Sequence, residues 1–194
     1  MSDGDMIERL PLFPLSSVAL PGGRIALRLF EARYLDMVSE CLRGDTGFGI
    51  CLIRRGGEAG EPALPYGTGT EVRIVDWDGQ ADGLLGITAE GQCKIRIHEL
   101  AVESNQLVVG RVERLPPEPS EPVPERFAPL VQILGQLLRQ LGGVIHYEEP
   151  QWNDAAWVGG RLTELLPLND RVRQYLVELD NPTARLEELR QALK

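Results

Sequence analysis

Apolar and polar positions change their period several times along this chain, and each change marks an element. From Leu10 to Tyr34 the sequence reads LPLFPLSSVALPGGRIALRLFEARY. Pro11 and Pro14 restrict the first apolar run to a short, irregular strand, because proline fixes its own φ and cannot donate to a ladder. Pro21-Gly22-Gly23 is a turn signal. Beyond it Ile25, Leu27 and Leu29 alternate with Arg24, Ala26 and Arg28, the period of a half-buried strand. From Glu31 the spacing becomes helical through Tyr34, Leu35, Val38, Cys41 and Leu42, with Gly44 placed as the C-terminal cap. The block therefore predicts strand, turn, strand, helix.

Further strand patterns cover Phe48 to Ile53, Val72 to Val75, Leu84 to Thr88, Cys93 to Ile97 and Leu107 to Val112. Many short strands joined by glycine-rich turns predict an antiparallel sheet that closes on itself, since closure removes exposed edges. Between them, Arg54 to Gly69 (RRGGEAGEPALPYGTG) has three breaker pairs and no period, which predicts a long surface loop. Residues 114–125 read RLPPEPSEPVPE, a proline-rich stretch that favours extended geometry and few backbone donors. It marks the boundary in a predicted organisation of a β-barrel domain over 1–117, a connector over 118–124 and a helical bundle over 125–194. In that last part Phe127, Leu130, Val131, Leu134, Leu138 and Leu141 form one stripe, closed by Gly142-Gly143. Asp154 is placed to cap a helix carrying Trp157, Val158, Leu162 and Leu166, which Pro167 stops. Val172, Tyr175, Leu176 and Leu179 make a third stripe, and Asn181-Pro182 opens a fourth helix. The fold class is α+β.

The opening block resembles the start of the Lon substrate-binding domain, the N-terminal domain of Lon proteases, which also occurs in cereblon-like proteins and as short free-standing bacterial proteins. The resemblance rests on L-P-L-F-P-L, P-G-G and L-R-L-F-E-x-R-Y, and on a second stretch, Gly67 to Glu99 (GTGTEVRIVDWDGQADGLLGITAEGQCKIRIHE). It extends more weakly through the helical third. Ser16-Ser17 stands where many Lon sequences carry Arg-Asp. The resemblance implies a PUA-like antiparallel pseudo-barrel with one helix, followed by the helical bundle, and a non-catalytic module that holds polypeptide.

Composition narrows the chemistry. The 194 residues carry a formal charge of −9, with 12 basic against 17 acidic residues over 1–117 and 8 against 12 over 118–194. Both parts would repel a phosphate backbone or an anionic membrane surface. Cys41, Cys51 and Cys93 match no zinc or redox spacing and read as small buried hydrophobes, which suits a reducing cytoplasm. The start MSDGDMIERL lacks the apolar run of a signal peptide or anchor, and no stretch approaches the ~20 residues that span a bilayer.

The sequence holds neither a G-x-x-x-x-G-K-[ST] loop nor a candidate serine-lysine dyad. Lys94 reads as outward-facing on a solvated strand face with Arg96 and His98. His98 and His146 cannot by themselves build a metal site. Asp76, Asp78 and Asp82 fail as a calcium loop, with Gln80 at the third ligand position, Ala81 at the glycine position and Ile87 at the glutamate position. Asp-Gly hairpin turns explain them instead. No catalytic, metal or cofactor site is expected, and no cofactor.

The partner that the resemblance implies is a polypeptide segment or partner protein, gripped by an apolar groove or an unpaired strand edge, directly or as adaptor for a separate protease. Phe13, Tyr66 and Trp77 are the candidate polypeptide-binding residues. The alternative is an RNA-binding barrel, which rests on fold analogy alone and which the charge disfavours.

Overall fold

The computed structural model describes residues 7–79 and 81–194. The first six residues, where part of the leader expectation falls, lie outside them, as does Gln80 of the rejected calcium loop. No helix of the described residues is long and apolar enough to cross a membrane.

Among the described residues seven strands form the sheet: β1 (Glu8–Leu15), β2 (Arg24–Leu29), β3 (Phe48–Arg55), β4 (Leu64–Pro65), β5 (Thr68–Gly79), β6 (Leu85–Val102) and β7 (Val108–Arg114). Hydrogen bonding runs β1–β7–β6–β5–β3, and a parallel β1–β3 pairing closes the ring. Closure depends on a change of partner within β1. Glu8 to Pro11 pair antiparallel with β7, and Leu12 to Leu15 pair parallel with β3. The first strand is thus irregular as expected, but eight residues long rather than short. β2 stands off the ring, paired to β6 from Arg24↔Glu90 to Leu29↔Leu85. The two runs read as separate strands, Leu84 to Thr88 and Cys93 to Ile97, are one 18-residue strand, β6, long enough to serve β2, β5 and β7 in turn. Residues 54–69 are not one loop, because they contain β4 and the start of β5.

Helix α1 (Ala32–Gly44) buries Tyr34, Met37, Val38 and Cys41, while Leu35 and Leu42 of the expected stripe face outward. The left-handed cap falls on Asp45, φ 49°, one residue after Gly44. Phe13, Phe48, Ile50, Val72, Ile87 and Ala89 pack with that helix, and Leu10, Leu12, Cys51, Ile95, Val108 and Val112 make a second cluster on the other face of the ring strands.

After a single 3-10 turn at Glu125–Phe127, four helices follow: α2 (Ala128–Gln140), α3 (Ala155–Leu165), α4 (Asp170–Glu178) and α5 (Pro182–Ala192). Asp154 and Asn181 cap as expected, accepting from the amides of Ala156 and Ala184. Phe127, Leu130, Leu134, Val158, Leu162, Leu176, Leu186 and Leu189 make their core.

Two buried ionic groups join helices to barrel. Lys94, expected on a solvated face, is 3% exposed. Its Nζ lies 3.0 Å from Glu118 and 2.7 Å from Asp180, and donates to the carbonyls of Val177 and Leu179. The side chain does point away from Cys93 and Ile95, but the end of α4 and the Leu179–Asp180 link cover that face. Arg185 of α5 grips the same Glu118 in two parallel bonds, Nη1 at 2.7 Å and Nη2 at 2.5 Å. At the second group, Arg161 and Glu164 of α3 receive the Pro21-Gly22-Gly23 turn: Arg161 donates to the Leu20 and Pro21 carbonyls, and Glu164 accepts from the Leu20 amide at 2.7 Å. Gly22 has φ +77°, and a side chain on Gly23 would collide with Glu164, so both glycines are demanded by the joint.

Burial works against the Glu118 charge, but Arg185 and Lys94 outweigh it and hold the carboxyl below its ordinary range. A depressed folded value contributes stability above the unfolded value, about 4.3, which is lost as pH falls through the folded value. Glu118→Ala strips the buried Arg185 of its carboxylate and leaves Lys94 only the exposed Asp180, and is expected to cost about 3–5 kcal/mol in urea unfolding. Glu118→Gln should also remove the part of the acid-side loss, below pH about 4.3, that the wild type owes to this group.

Candidate functional site

Closing the ring by a partner switch leaves part of the sheet unpaired. Pairing of β1 with β7 ends at Pro11, so Leu12 to Leu15 have a strand on one side only, β3. β2 likewise has β6 on one side and, among the described residues, no strand on the other. Between these two half-edges lies a groove of about 360 Å³, floored by Phe13, Leu15, Leu27 and Tyr34 and rimmed by Phe30, Arg28, Glu31 and Glu58.

The floor is preformed. Phe13 is 6% exposed, its ring 4.0 Å from that of Tyr34 and 6.3 Å from that of Phe48. Arg33 lies over the Tyr34 ring at 4.8 Å, donates to the Gln106 carbonyl and pairs with Glu31 at 3.0 Å. Burial pushes the Tyr34 hydroxyl pKa up; Arg33 opposes this, while the Glu31 and Glu58 charges add to it. Phe30 is 62% exposed. Arg28 is neutralised by Asp82. Glu58 accepts from the Ser16 amide at 2.7 Å and from its hydroxyl, and has no cationic partner among the described residues. Ser16 is thus the small donor that positions this carboxylate.

The three residues singled out in the sequence are not brought together. Phe13 forms the groove floor. Trp77 is 61% exposed on β5 in one ladder row with Ile87 and Leu27, two strands from β2, about 10 Å across the sheet. Tyr66 packs elsewhere, with Val18, Leu20, Leu52 and Val177 where α4 meets the barrel. Sequence reading missed Phe30, although its signal was present: with Ile25, Leu27 and Leu29 inside, the alternation puts Phe30 on the polar side. Glu58 had no such signal, since only the folded loop brings it to Ser16.

A larger groove of about 880 Å³ lies between α2 and residues 143–153, with Val131, Leu138, Tyr147 and Trp152 in its wall. It offers helical side chains but no strand edge. Burial pushes the Cys51 thiol up to about 12; burial, then the nearby Glu71 charge, takes Cys93 up to about 11. Burial also raises the Cys41 thiol. His98 sits 2.9 Å from Glu113 on the barrel surface.

A closed barrel braced by helices, with a strand edge open beside an apolar groove, has the build of a binding module. The chain belongs to the family of the ATP-dependent protease La (LON) substrate-binding domain, whose model matches residues 9–194. It is similar to a Lon N-terminal domain protein of Xanthomonas campestris, with 40% identity and a TM-score of 0.77 over 95% of this chain and 98% of that one. The N-terminal domain of a Mycobacterium avium complex Lon protease shares the fold, with a TM-score of 0.64 at 17% identity over 95% of this chain and 97% of that one. Lon protease 2 of Myxococcus xanthus is 29% identical over 105 residues, 53% of this chain; the chain spans 13% of that protein's length.

Two phenylalanines at one groove should behave differently. Phe13→Ala, in the core, is expected to cost about 3–5 kcal/mol in urea unfolding, whereas Phe30→Ala should stay within about 0.5 kcal/mol of wild type.

Proposed function

We infer that the chain is a non-catalytic polypeptide-binding module that holds extended or unfolded segments in the groove between β1 and β2. The observation that carries this reading is an unpaired strand edge running beside an apolar groove. Main-chain bonds along an edge are nearly indifferent to sequence, and a pocket for one side chain adds a modest preference, which together suit a receptor for many substrates. Exposed Phe30 at the rim and Trp77 on the same sheet, two strands from β2, supply large rings at low entropic cost. Membership of the substrate-binding family agrees with such a role. Service to a separate protease, as an adaptor working in the cytoplasm, belongs to the same proposal.

RNA binding is the weaker reading. The charge is −9, and the cationic row Lys94, Arg96 and His98 is broken, because Lys94 is buried under the end of α4 and the Leu179–Asp180 link and Arg96 and His98 both lean on Glu113.

Fluorescence titration with a permanently unfolded polypeptide and with a structured RNA, at two salt concentrations, separates the readings. Polypeptide should bind, and the double variant Phe30→Ala/Trp77→Ala should weaken it about tenfold or more with its thermal midpoint unchanged. Absence of polypeptide binding together with salt-sensitive RNA binding would reverse the assignment.

A further inference from the structure

The backbone of β2 says which of its groups are free. Gly91 of β6 donates to the Gly23 carbonyl at 2.8 Å, so Gly23 faces β6. The next amide, Arg24, faces away and donates to the Tyr147 hydroxyl at 3.1 Å. Successive residues of a strand direct their N–H and C=O groups to opposite edges, and the β2–β6 register continues without a bulge to Leu29. Ala26 and Arg28 therefore follow Arg24, with their amides and carbonyls on the open edge. Tyr147 stops this edge at one end, and Phe30 stands at the other.

Resting on the polypeptide-binding reading, we propose that the ligand is an extended segment that adds to β2 as a further strand through Ala26 and Arg28, seats one large apolar side chain in the groove against Phe13, Leu15 and Phe30, and carries a lysine or arginine within two residues of it for Glu58. Every second side chain of an added strand falls on the side of Leu27 and Leu29, where the groove opens. The basic preference follows from charge. Arg28 is paired to Asp82 and Glu31 to Arg33, while Glu58 has only the neutral Ser16 donors and sits on a chain of net −9. A cation brought to that rim gains attraction and a charge-assisted hydrogen bond.

Three fluorescent, unstructured decapeptides test this by polarisation: a central phenylalanine flanked by lysines, the same flanked by glutamates, and the lysine peptide methylated on alternate amides. Ala26→Pro removes the outward amide without touching a bond to β6. Expected are about tenfold or greater weakening by Ala26→Pro and by amide methylation, and an about tenfold preference for lysine over glutamate flanks that shrinks in Glu58→Gln. If the proline variant fails to fold, the methylated peptide on wild-type protein still decides. Equal binding of methylated and unmethylated peptides would overturn strand addition and leave polypeptide binding standing. No binding of any peptide or unfolded chain would remove the underlying reading itself. A concentration-dependent dimer in light scattering, abolished by Ala26→Pro, would overturn the proposal by assigning the edge to a second copy.

Discussion

Three charged side chains from three parts of the chain meet at one point, and the arrangement of the whole molecule turns on that meeting. Glu118 comes from the proline-rich stretch, Lys94 from β6 and Arg185 from α5, and the carboxylate touches both cations. Charges buried this deeply are tolerated only when each finds its partner, so this joint admits one docking of the helices and penalises others. The Arg161–Glu164 pair, closed over the Pro21-Gly22-Gly23 turn, fixes the same docking from a second side. The helices consequently cover the outer face of β6 at Lys94, the start of β5 and the turn before β2. The far half of β2 stays open.

A second opening comes from how the barrel closes. β1 pairs with β7 through Glu8 to Pro11 and with β3 through Leu12 to Leu15, so each pairing covers only half of the strand. α1 packs Tyr34 and Met37 against Phe13 and Leu15, and Tyr34 with these two gives the unpaired half-edge an apolar floor. Phe13 thus stabilises the fold and shapes the groove at once, whereas Phe30 contributes to the groove with little part in the core.

Much of this was legible in the sequence because it is local. The strand–turn–strand–helix order of the opening block, the Pro-Gly-Gly turn, and the caps at Asp154 and Asn181 each follow from a few neighbouring residues. What escaped is what distant segments do to one another. Alternation correctly turned Lys94 away from Cys93 and Ile95, but a period says which face a residue is on, never what lies over that face. The same limit hid the Ser16–Glu58 contact, 42 residues apart. Of the candidate site, Phe13 lies on the strand that lines the groove and Trp77 on the same sheet, two strands from β2. Tyr66 belongs to the joint with α4. Phe30 was discernible from its phase, but the open edge of β2 became visible only once the strand order was known.

The central claim is that polypeptide is held between β1 and β2, on the part of the barrel the helices leave bare. Backbone amide chemical-shift mapping of the isotope-labelled protein, titrated with an unfolded polypeptide, tests it most directly. The account predicts the largest changes at Leu15, Ala26, Arg28 and Phe30, with Lys94 and Glu118 unmoved. Changes confined to the groove between α2 and Trp152 would contradict it.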